Sequence, residues 1–253
     1  KEMTAALASP EMEGRGTGQP GGDRAAAWIA DKFKSYGLKP LGDKGSYLQK
    51  VEFKETTATQ DTSFLVGDQM LVYGVDYGFL PQNNGNKNVS GEMVFVSYGV
   101  QSKQAGINMV EGVDLSGKVV VMTQGPPPGF PEPEWDKQKA NMLILMSLVS
   151  ARAAAIVIIG DGENEHPPEE LISYFSRRQL SLGDEQGYPP QVPPFIYVSG
   201  AGAENLFAKS GITLKQALEQ GTSRAFKPVD LKQKAKIVAK YESKKVTSSN
   251  VVG

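Results

Sequence analysis

The chain has 253 residues, of which 40% are hydrophobic and 22% charged, as in an ordinary globular protein. Lys and Arg number 27 against 28 Asp and Glu, so the formal net charge of −1 gives no electrostatic reason to expect nucleic acid or an anionic membrane as a partner. No apolar run approaches the roughly 20 residues that a membrane-spanning helix needs. No signal peptide opens the chain at Lys1, which indicates either a cytosolic protein or one trimmed to its mature start.

Two residue counts exclude the commonest catalytic sites. The chain has no Cys, which excludes disulfides, thiol catalysis and Cys-ligated zinc. Its one His, His166, lies in a polar run that also contains two prolines. Catalytic zinc commonly takes two or more His, and a Ser nucleophile usually needs a His base. Neither site can therefore be assembled in its usual form, and we interpret His166 as a solvated loop residue.

A loop dense in Gly and Pro covers residues 8–22. Its composition is typical of a linker, although Glu11, Glu13 and Arg15 alternate along it, which a linker does not require. The loop has no Gly-Lys-Ser/Thr ending and no strand before it, so the sequence does not favour nucleotide binding.

An amphipathic helix is predicted after this loop. Asp23 has a side chain typical of an N-cap, apolar residues recur at helical spacing from Trp28 to Phe33, and Gly37 is typical of a helix end. Residues 46–53 then alternate with period two, which predicts a strand. The apolar face of the helix is expected to be exposed in this chain.

Three apolar runs rich in β-branched residues predict buried strands at residues 91–100, 112–122 and 153–159. The segment 114–117 has turn chemistry, with Gly117 free to take a positive φ. Two shorter strands are expected between residues 56 and 88. The three buried runs are the scaffold of the chain and carry no catalytic group.

A helix is predicted over residues 135–151, before the third apolar run. The face expected to pack on the sheet consists of Ala140, Leu143, Met146 and Ser147. The prolines of residues 126–133 exclude a helix and favour an extended surface loop.

The polar stretch 160–190 contains a short predicted helix over residues 169–178. Tyr174, Arg177 and Arg178 on this helix are the candidate ligand-binding residues, because phenol and guanidinium groups can hydrogen-bond a polar ligand. The alternative interpretation is an ordinary solvated helix face.

The remaining elements alternate between strand and helix. A strand is predicted at 193–199 and a helix at 203–209, and Thr213 is expected to cap a second helix, 214–220. Residues 229–242 alternate apolar with polar, which predicts an edge strand or hairpin with one wet face, its lysines opposing edge-to-edge pairing.

Both ends of the chain resemble M28-family zinc aminopeptidases. The resemblance rests on Ser9-Pro-Glu-Met-Glu-Gly-Arg-Gly-Thr-Gly18, on Tyr36–Pro40 and on Val246-Thr-Ser-Ser-Asn-Val-Val-Gly253. Between them, residues 91–202 are similar to the protease-associated (PA) domain inserted in many of these enzymes. The matching pieces of the PA domain are 112–121, 153–159 and 193–199.

The resemblance implies an α/β (α+β) fold in three parts. Residues 1–54 would be the N-terminal helix and first strand of a peptidase domain, and 55–242 a PA-type β-sandwich or open barrel with flanking helices. Residues 243–253, a strand with no cap after it, would start the return into the peptidase domain. The zinc ligands and general-base Glu of the family follow the point where this chain stops. The resemblance therefore implies no catalytic and no metal-ligating residue here, and zinc only in the catalytic domain.

The function implied is the non-catalytic N-terminal part of a secreted or periplasmic zinc aminopeptidase. The PA domain would act as a lid beside the active site or would contact the peptide substrate or other proteins, and its partner would be its own peptidase domain. This chain alone is expected to be inactive. The alternative is a free-standing PA-type module that binds a peptide or protein. A hydrolase relying on two carboxylates is a third possibility, but no spacing singles out such a pair.

Overall fold

The structure is a computed structural model that describes residues 1–82, 85–103, 106–125, 137–160, 168–183 and 191–253. The chain forms two compact units. The first, here called the terminal unit, comprises Lys1–Thr56, Gln179–Gln186 and Ser243–Gly253. The second, here called the sheet unit, comprises Thr57–Arg178 and Gly187–Glu242. Residues 179–186 thus belong with the chain ends, although the sequence analysis placed them in the stretch 55–242.

Helices and strands follow one another in a mixed order. The helices are α1 (Glu2–Leu7), α2 (Pro20–Ser35), α3 (Lys137–Ser150), α4 (Pro168–Ser176), α5 (Gly200–Phe207) and α6 (Leu214–Gly221). The strands are β1 (Leu48–Ala58), β2 (Ser63–Val66), β3 (Gln69–Leu71), β4 (Tyr77–Phe79), β5 (Lys87–Phe95), β6 (Gln101–Ser102), β7 (Ile107–Asn108), β8 (Val119–Thr123), β9 (Ala155–Ile159), β10 (Gln179–Leu182), β11 (Phe195–Val198), β12 (Val229–Ala239) and β13 (Tyr241–Val251). In the described part of the chain, no helix is long and apolar enough to cross a membrane.

An eight-stranded mixed sheet dominates the sheet unit, in the order β3-β2-β12-β5-β8-β9-β11-β4. The neighbours β5, β8, β9 and β11 pair in parallel, and the outer pairs are antiparallel. The edge strands β3 and β4 are joined by the short segment 72–76, so the sheet must curl until its edges approach. The ring centroids of Phe64 on β2 and Tyr77 on β4 accordingly lie 5.6 Å apart. The mixed α and β class predicted from the sequence is confirmed.

The centre of this sheet is covered on both faces. Every residue of β8 and β9 is buried, as expected for parallel strands that carry continuous apolar runs. Helix α3 connects these two strands and buries Ile144 and Leu148 against the core. Gly117, in the turn before β8, has a φ of 72°, which confirms the predicted turn geometry.

The predicted face of α3 is wrong at two of its four residues, since Ala140 packs against the core and Ser147 is half-buried. Leu143 is 69% exposed and Met146 is 52% exposed, whereas Ile144 and Leu148 are buried. The run from Met142 to Met146 is entirely apolar, so helical spacing alone does not choose the packed face.

The edge position and the hairpin predicted for residues 229–242 are also wrong. Strand β12 is interior, because it pairs with β2 on one side and β5 on the other. Its one wet face is confirmed, since Leu231, Ala235 and Ile237 are buried while Lys234 and Lys236 are exposed. Strand β13 lies in the separate three-stranded sheet β10-β1-β13, so β12 and β13 do not form a hairpin.

The helix ends give one correction and two confirmations. Helix α2 begins at Pro20, so Asp23 lies in its first turn and is not the N-cap. The chain leaves this helix through Gly37, whose φ is 74°. Thr213 caps α6 as predicted, with Gln216 N–H donating to its Oγ1 at 3.1 Å and its own N–H donating to Gln216 Oε1 at 2.9 Å.

His166, Trp135 and the prolines of 126–133 lie outside the described residues.

Two leucines on α3 offer a matched test of this packing. Leu148→Ala should lower the free energy of unfolding by about 2–5 kcal/mol, because it leaves a cavity at a fully buried site. Leu143→Ala should change it by less than about 0.5 kcal/mol, because that side chain is exposed. Denaturant titration of both variants is the measurement. Equal losses would contradict the packed face described above.

Candidate functional site

The three candidate ligand-binding residues lie on or just after α4. This helix packs on the sheet through Ile172, which is buried, and through Phe175, whose ring stacks on that of Tyr197 at 5.4 Å. Tyr174 is 49% exposed on the outer side, and the Arg177 guanidinium carbon lies 3.8 Å from the centre of its ring. This cation–π contact brings two of the candidates together. Arg178 follows at the end of the helix segment.

Tyr174, Arg177 and Arg178 do not line the cavity described below. The Arg177 guanidinium covers one face of the Tyr174 ring. A ligand role for these three residues therefore stays a prediction from the sequence.

Buried tyrosines in the sheet unit provide the titratable groups with the largest described pKa shifts. Burial raises the pKa of Tyr77 to about 12. Burial also raises the pKa of Tyr241, and the neighbouring Tyr73 adds to that rise. Both phenols are therefore protonated at neutral pH, so neither can act as a general base there.

The glycine-rich loop of the terminal unit is an ordered and strained turn. Glu13, Gly14 and Arg15 are three consecutive residues with positive φ, at 46°, 72° and 59°. Side chains other than Gly disfavour this conformation, so the surrounding contacts must impose it.

Arg24 and the glycines at the start of α2 supply those contacts. Arg24 Nη2 lies 2.8 Å from the Glu13 carboxylate, and its Nε donates to the carbonyl oxygen of Glu11 at 2.7 Å. A Cβ at Gly21 would lie 2.0 Å from the carbonyl oxygen of Met12, so only Gly lets the loop approach the helix. The charge of Glu13 thus has a structural role, and Arg15 is left exposed at the tip of the loop.

One concave feature of the sheet unit is a cavity of about 640 Å³ lined by residues 101–103, 106–108, 111 and 224–227, here called the hairpin cavity. One wall is the β6–β7 hairpin, in which Gln101 pairs with Asn108 and Ser102 with Ile107. Gln101 Nε2 also donates to Ser147 Oγ on α3 at 3.2 Å, and Ile107 of the hairpin is buried in the core. A volume of about 300–1,000 Å³ is typical of sites for small ligands.

The second wall is the segment between α6 and β12. Phe226 is buried, and its ring centroid lies 5.7 Å from that of Phe95 on β5. The Phe226 N–H donates to the carbonyl oxygen of Ser223 at 3.1 Å, which fixes the segment as a turn. Both walls are therefore held by the core of the sheet unit.

An ion pair joins the two walls. Lys227 on the second wall contacts the carboxylate of Glu111, which follows the hairpin. The hydrogen bond from Lys227 and its charge lower the pKa of Glu111, so this carboxyl group stays ionised at neutral pH. It is already paired, and among the described lining residues it is the only acid.

The sequence analysis did not identify the hairpin cavity. Its walls are remote in the sequence, with Glu111 and Lys227 separated by 116 residues. The available signals were the polar, Gly-containing stretch 101–106 and the basic residues around 224–227, neither of which predicts a partner by itself.

The described residues contain no group of three or more His, Cys, Asp and Glu side chains arranged to hold a metal ion. They therefore do not fit a catalytic zinc site, and we assign no metal-dependent step to them.

Comparisons with known proteins give little support to any assignment. No protein-family model matches the chain, and no curated protein matches it significantly. One similar solved structure is that of the psychrophilic subtilisin-like protease Apa1 from the Antarctic psychrotroph Pseudoalteromonas sp. AS-11. The two share 11% identity and a TM-score of 0.32, with 73% of this chain and 35% of that chain covered. At that score the likeness carries no argument about fold or function.

The strained loop gives a prediction about Arg24. Arg24→Gln should speed amide exchange of residues 11–15 about two- to tenfold, because the residue then loses its ion pair with Glu13 and its charged hydrogen bond to Glu11. The global free energy of unfolding should fall by less than about 1 kcal/mol, since the ion pair is exposed. Hydrogen exchange read by mass spectrometry is the measurement. Lys34→Gln, on the exposed side of the same helix, is the control, and equal exchange in both variants would refute the role of Arg24.

The raised tyrosine pKa gives a prediction about pH. The folded-state pKa of Tyr77 lies above the usual value of 10.0, so its contribution to stability is present below about pH 10 and is lost as pH rises through about 12. Between about pH 10 and about pH 12, the free energy of unfolding of Tyr77→Phe should therefore fall less than that of the parent chain. Denaturant titrations across the interval test this, with the exposed Tyr36→Phe as control. If Tyr77→Phe and the parent lost stability in parallel, the assignment would be wrong.

Proposed function

We propose that this chain is the non-catalytic N-terminal portion of an exported zinc aminopeptidase similar to the M28 family. In this proposal the terminal unit is part of the peptidase domain, and the sheet unit is an inserted PA-type domain. The observation that carries the proposal is the division of the chain: one unit contains both chain ends together with Gln179–Gln186, and the other comprises the rest of the sequence between those ends. An insertion into a host domain has this arrangement.

The poor core of the terminal unit supports the proposal. Its buried apolar side chains, among the described residues, are those of Ala25 and Ala26. Trp28, Ile29 and Phe33 on α2 are only half-buried. Small domains need most of their apolar surface buried to be stable. We infer that further chain covers α2 and extends the sheet β10-β1-β13 in the complete protein.

The sheet unit has a large apolar core of its own, so it can serve as a separate module on the host domain. Its proposed role is that of a lid, or of a contact surface for peptide or protein, beside the active site. The zinc, its ligands and the general base belong in this proposal to chain beyond Gly253. Residues 1–253 supply scaffold and contacts and take no part in bond cleavage.

A comparison of two proteins tests the proposed function. Chain 1–253 should neither bind zinc stoichiometrically nor hydrolyse aminoacyl p-nitroanilides. The longer protein that the gene encodes beyond the codon for Gly253 should contain a His-x-Asp motif and should hydrolyse aminoacyl p-nitroanilides. A chelator should abolish this activity and added zinc should restore it. Turnover by chain 1–253 itself, or a reading frame that ends near Gly253, would overturn the proposal.

The hairpin cavity favours a second candidate function, a free-standing PA-type module that binds a peptide or protein. The cavity is formed entirely by the sheet unit, so it needs no catalytic domain. A reading frame that stops near Gly253 would favour this candidate, and the same gene sequence therefore separates the two functions.

A further inference from the structure

We propose that the sheet unit binds an internal water molecule between Thr59, Thr62 and Tyr241, where the water hydrogen-bonds the hydroxyl groups of these residues. Thr59 follows β1, Thr62 precedes β2 and Tyr241 begins β13. This place is here called the hydroxyl site. It does not rest on the aminopeptidase proposal, because all three residues belong to the sheet unit, and none of them lines the hairpin cavity.

The first argument is that three buried hydroxyl oxygens have no hydrogen-bond partner among the described residues. They are Thr59 Oγ1, Thr62 Oγ1 and the Tyr241 hydroxyl oxygen, each almost inaccessible to solvent. Buried polar side-chain atoms in native proteins nearly always have a partner, which is either protein or ordered water. An unpaired hydroxyl keeps the full cost of its removal from bulk water. A bound water would supply the missing hydrogen bonds.

The second argument is that backbone hydrogen bonds bring these residues together. The Thr62 N–H donates to the carbonyl oxygen of Thr59 at 3.1 Å, so the connection between β1 and β2 is a tight turn. The Thr59 N–H donates to the carbonyl oxygen of Lys240 at 2.9 Å, and Lys240 precedes Tyr241. Both threonines therefore lie at the start of β13. An internal water needs two to four polar partners, which three neighbouring hydroxyl groups can provide.

The third argument is the relation between Thr62 and Tyr77 at the start of β4. Burial raises the pKa of Tyr77 to about 12, and the Thr62 side chain opposes part of that rise, so the two groups are close. Nevertheless, Thr62 Oγ1 makes no direct hydrogen bond within the described part of the chain. Polar groups that interact without a direct bond are often bridged by water. The phenol of Tyr77 thus offers the same water a further hydrogen-bonding group.

Aromatic side chains form the walls around the hydroxyl site. Phe64 and Tyr77 have no exposed surface, and their ring centroids lie 5.6 Å apart. The Tyr73 ring lies at the same separation from that of Tyr77. Both Tyr73 and Tyr241 pack against the core. A water held by polar groups inside such walls is part of the structure and costly to remove.

A high-resolution crystal structure of chain 1–253 tests the proposal directly. We expect an ordered water oxygen about 2.5–3.0 Å from at least two of the three hydroxyl oxygens. Direct hydrogen bonds from all three hydroxyl groups to protein atoms would overturn the proposal. So would the lack of any ordered solvent within hydrogen-bonding distance of these groups.

Oxygen-17 magnetic relaxation dispersion tests the proposal in solution, because it detects internal waters with long residence times. Thr62→Val combined with Tyr241→Phe should lose the dispersion amplitude of about one water, since two of the three hydroxyl groups are removed. Thr62→Ser keeps the hydroxyl group and should keep the amplitude of the parent chain. Tyr36→Phe, at an exposed tyrosine of the terminal unit, is the control.

The difference between variants is the quantity to read, because proteins hold on the order of one buried water per about 27 residues. Equal amplitudes in the parent chain and in the folded double variant would overturn the proposal. Loss of the amplitude in Thr62→Ser as well would also contradict it, since that variant retains all three hydroxyl groups. Thermal melting shows whether each variant is folded. If the double variant does not fold, the crystal structure of the parent chain decides.

Discussion

The burial of β8 and β9 on both faces is the interaction on which the sheet unit depends. Both strands consist of apolar residues and Thr123, all of them buried, and they pair in parallel with each other and with β5 and β11. Parallel strands need a covered face on each side, and α3 covers one face as it connects β8 with β9. The short connection between β3 and β4 then makes the sheet curl, because these strands form its opposite edges. Both described walls of the hairpin cavity contact this core, through Ile107 and Phe226.

The terminal unit has no comparable core. Its loop of three positive-φ residues is held by Arg24 and by the approach allowed at Gly21, which are local polar and steric contacts. Such contacts fix a conformation, but they contribute less to stability than burial of large apolar side chains. The half-buried face around Trp28 and Phe33 is therefore the most informative feature of this unit. It is the physical reason for proposing that the unit belongs to a larger domain.

Sequence reasoning predicted the elements whose signals are local. The continuous apolar runs of β8 and β9, the cap at Thr213 and the turn at Gly117 each depend on neighbouring residues, and the structure has all of them. Sequence reasoning failed where the position of a strand depends on pairing with strands that are remote in the sequence. The lysines of β12 fit an edge strand and an interior strand of a one-sided sheet equally well, and only the pairing with β2 and β5 shows that β12 is interior.

The candidate site was predictable to a smaller extent than the fold. Tyr174 and Arg177 do meet, as their spacing on a helix allows, but they form a surface pair that does not line the hairpin cavity. The hairpin cavity combines two segments that approach only in the folded sheet, so neither segment predicts it alone. The apolar run of α3 shows the same limit, because its five consecutive apolar residues, 142–146, leave the packed face undetermined by spacing.

The central claim is that the sheet unit is a self-sufficient module whereas the terminal unit depends on additional chain. Native-state hydrogen exchange of monomeric chain 1–253 tests it most directly, since amide protection reports the stability of each element separately. The account predicts that the amides of α2 exchange at least about tenfold faster than those of β8 and β9. Equal protection of α2 and the two central strands in a strict monomer would contradict it.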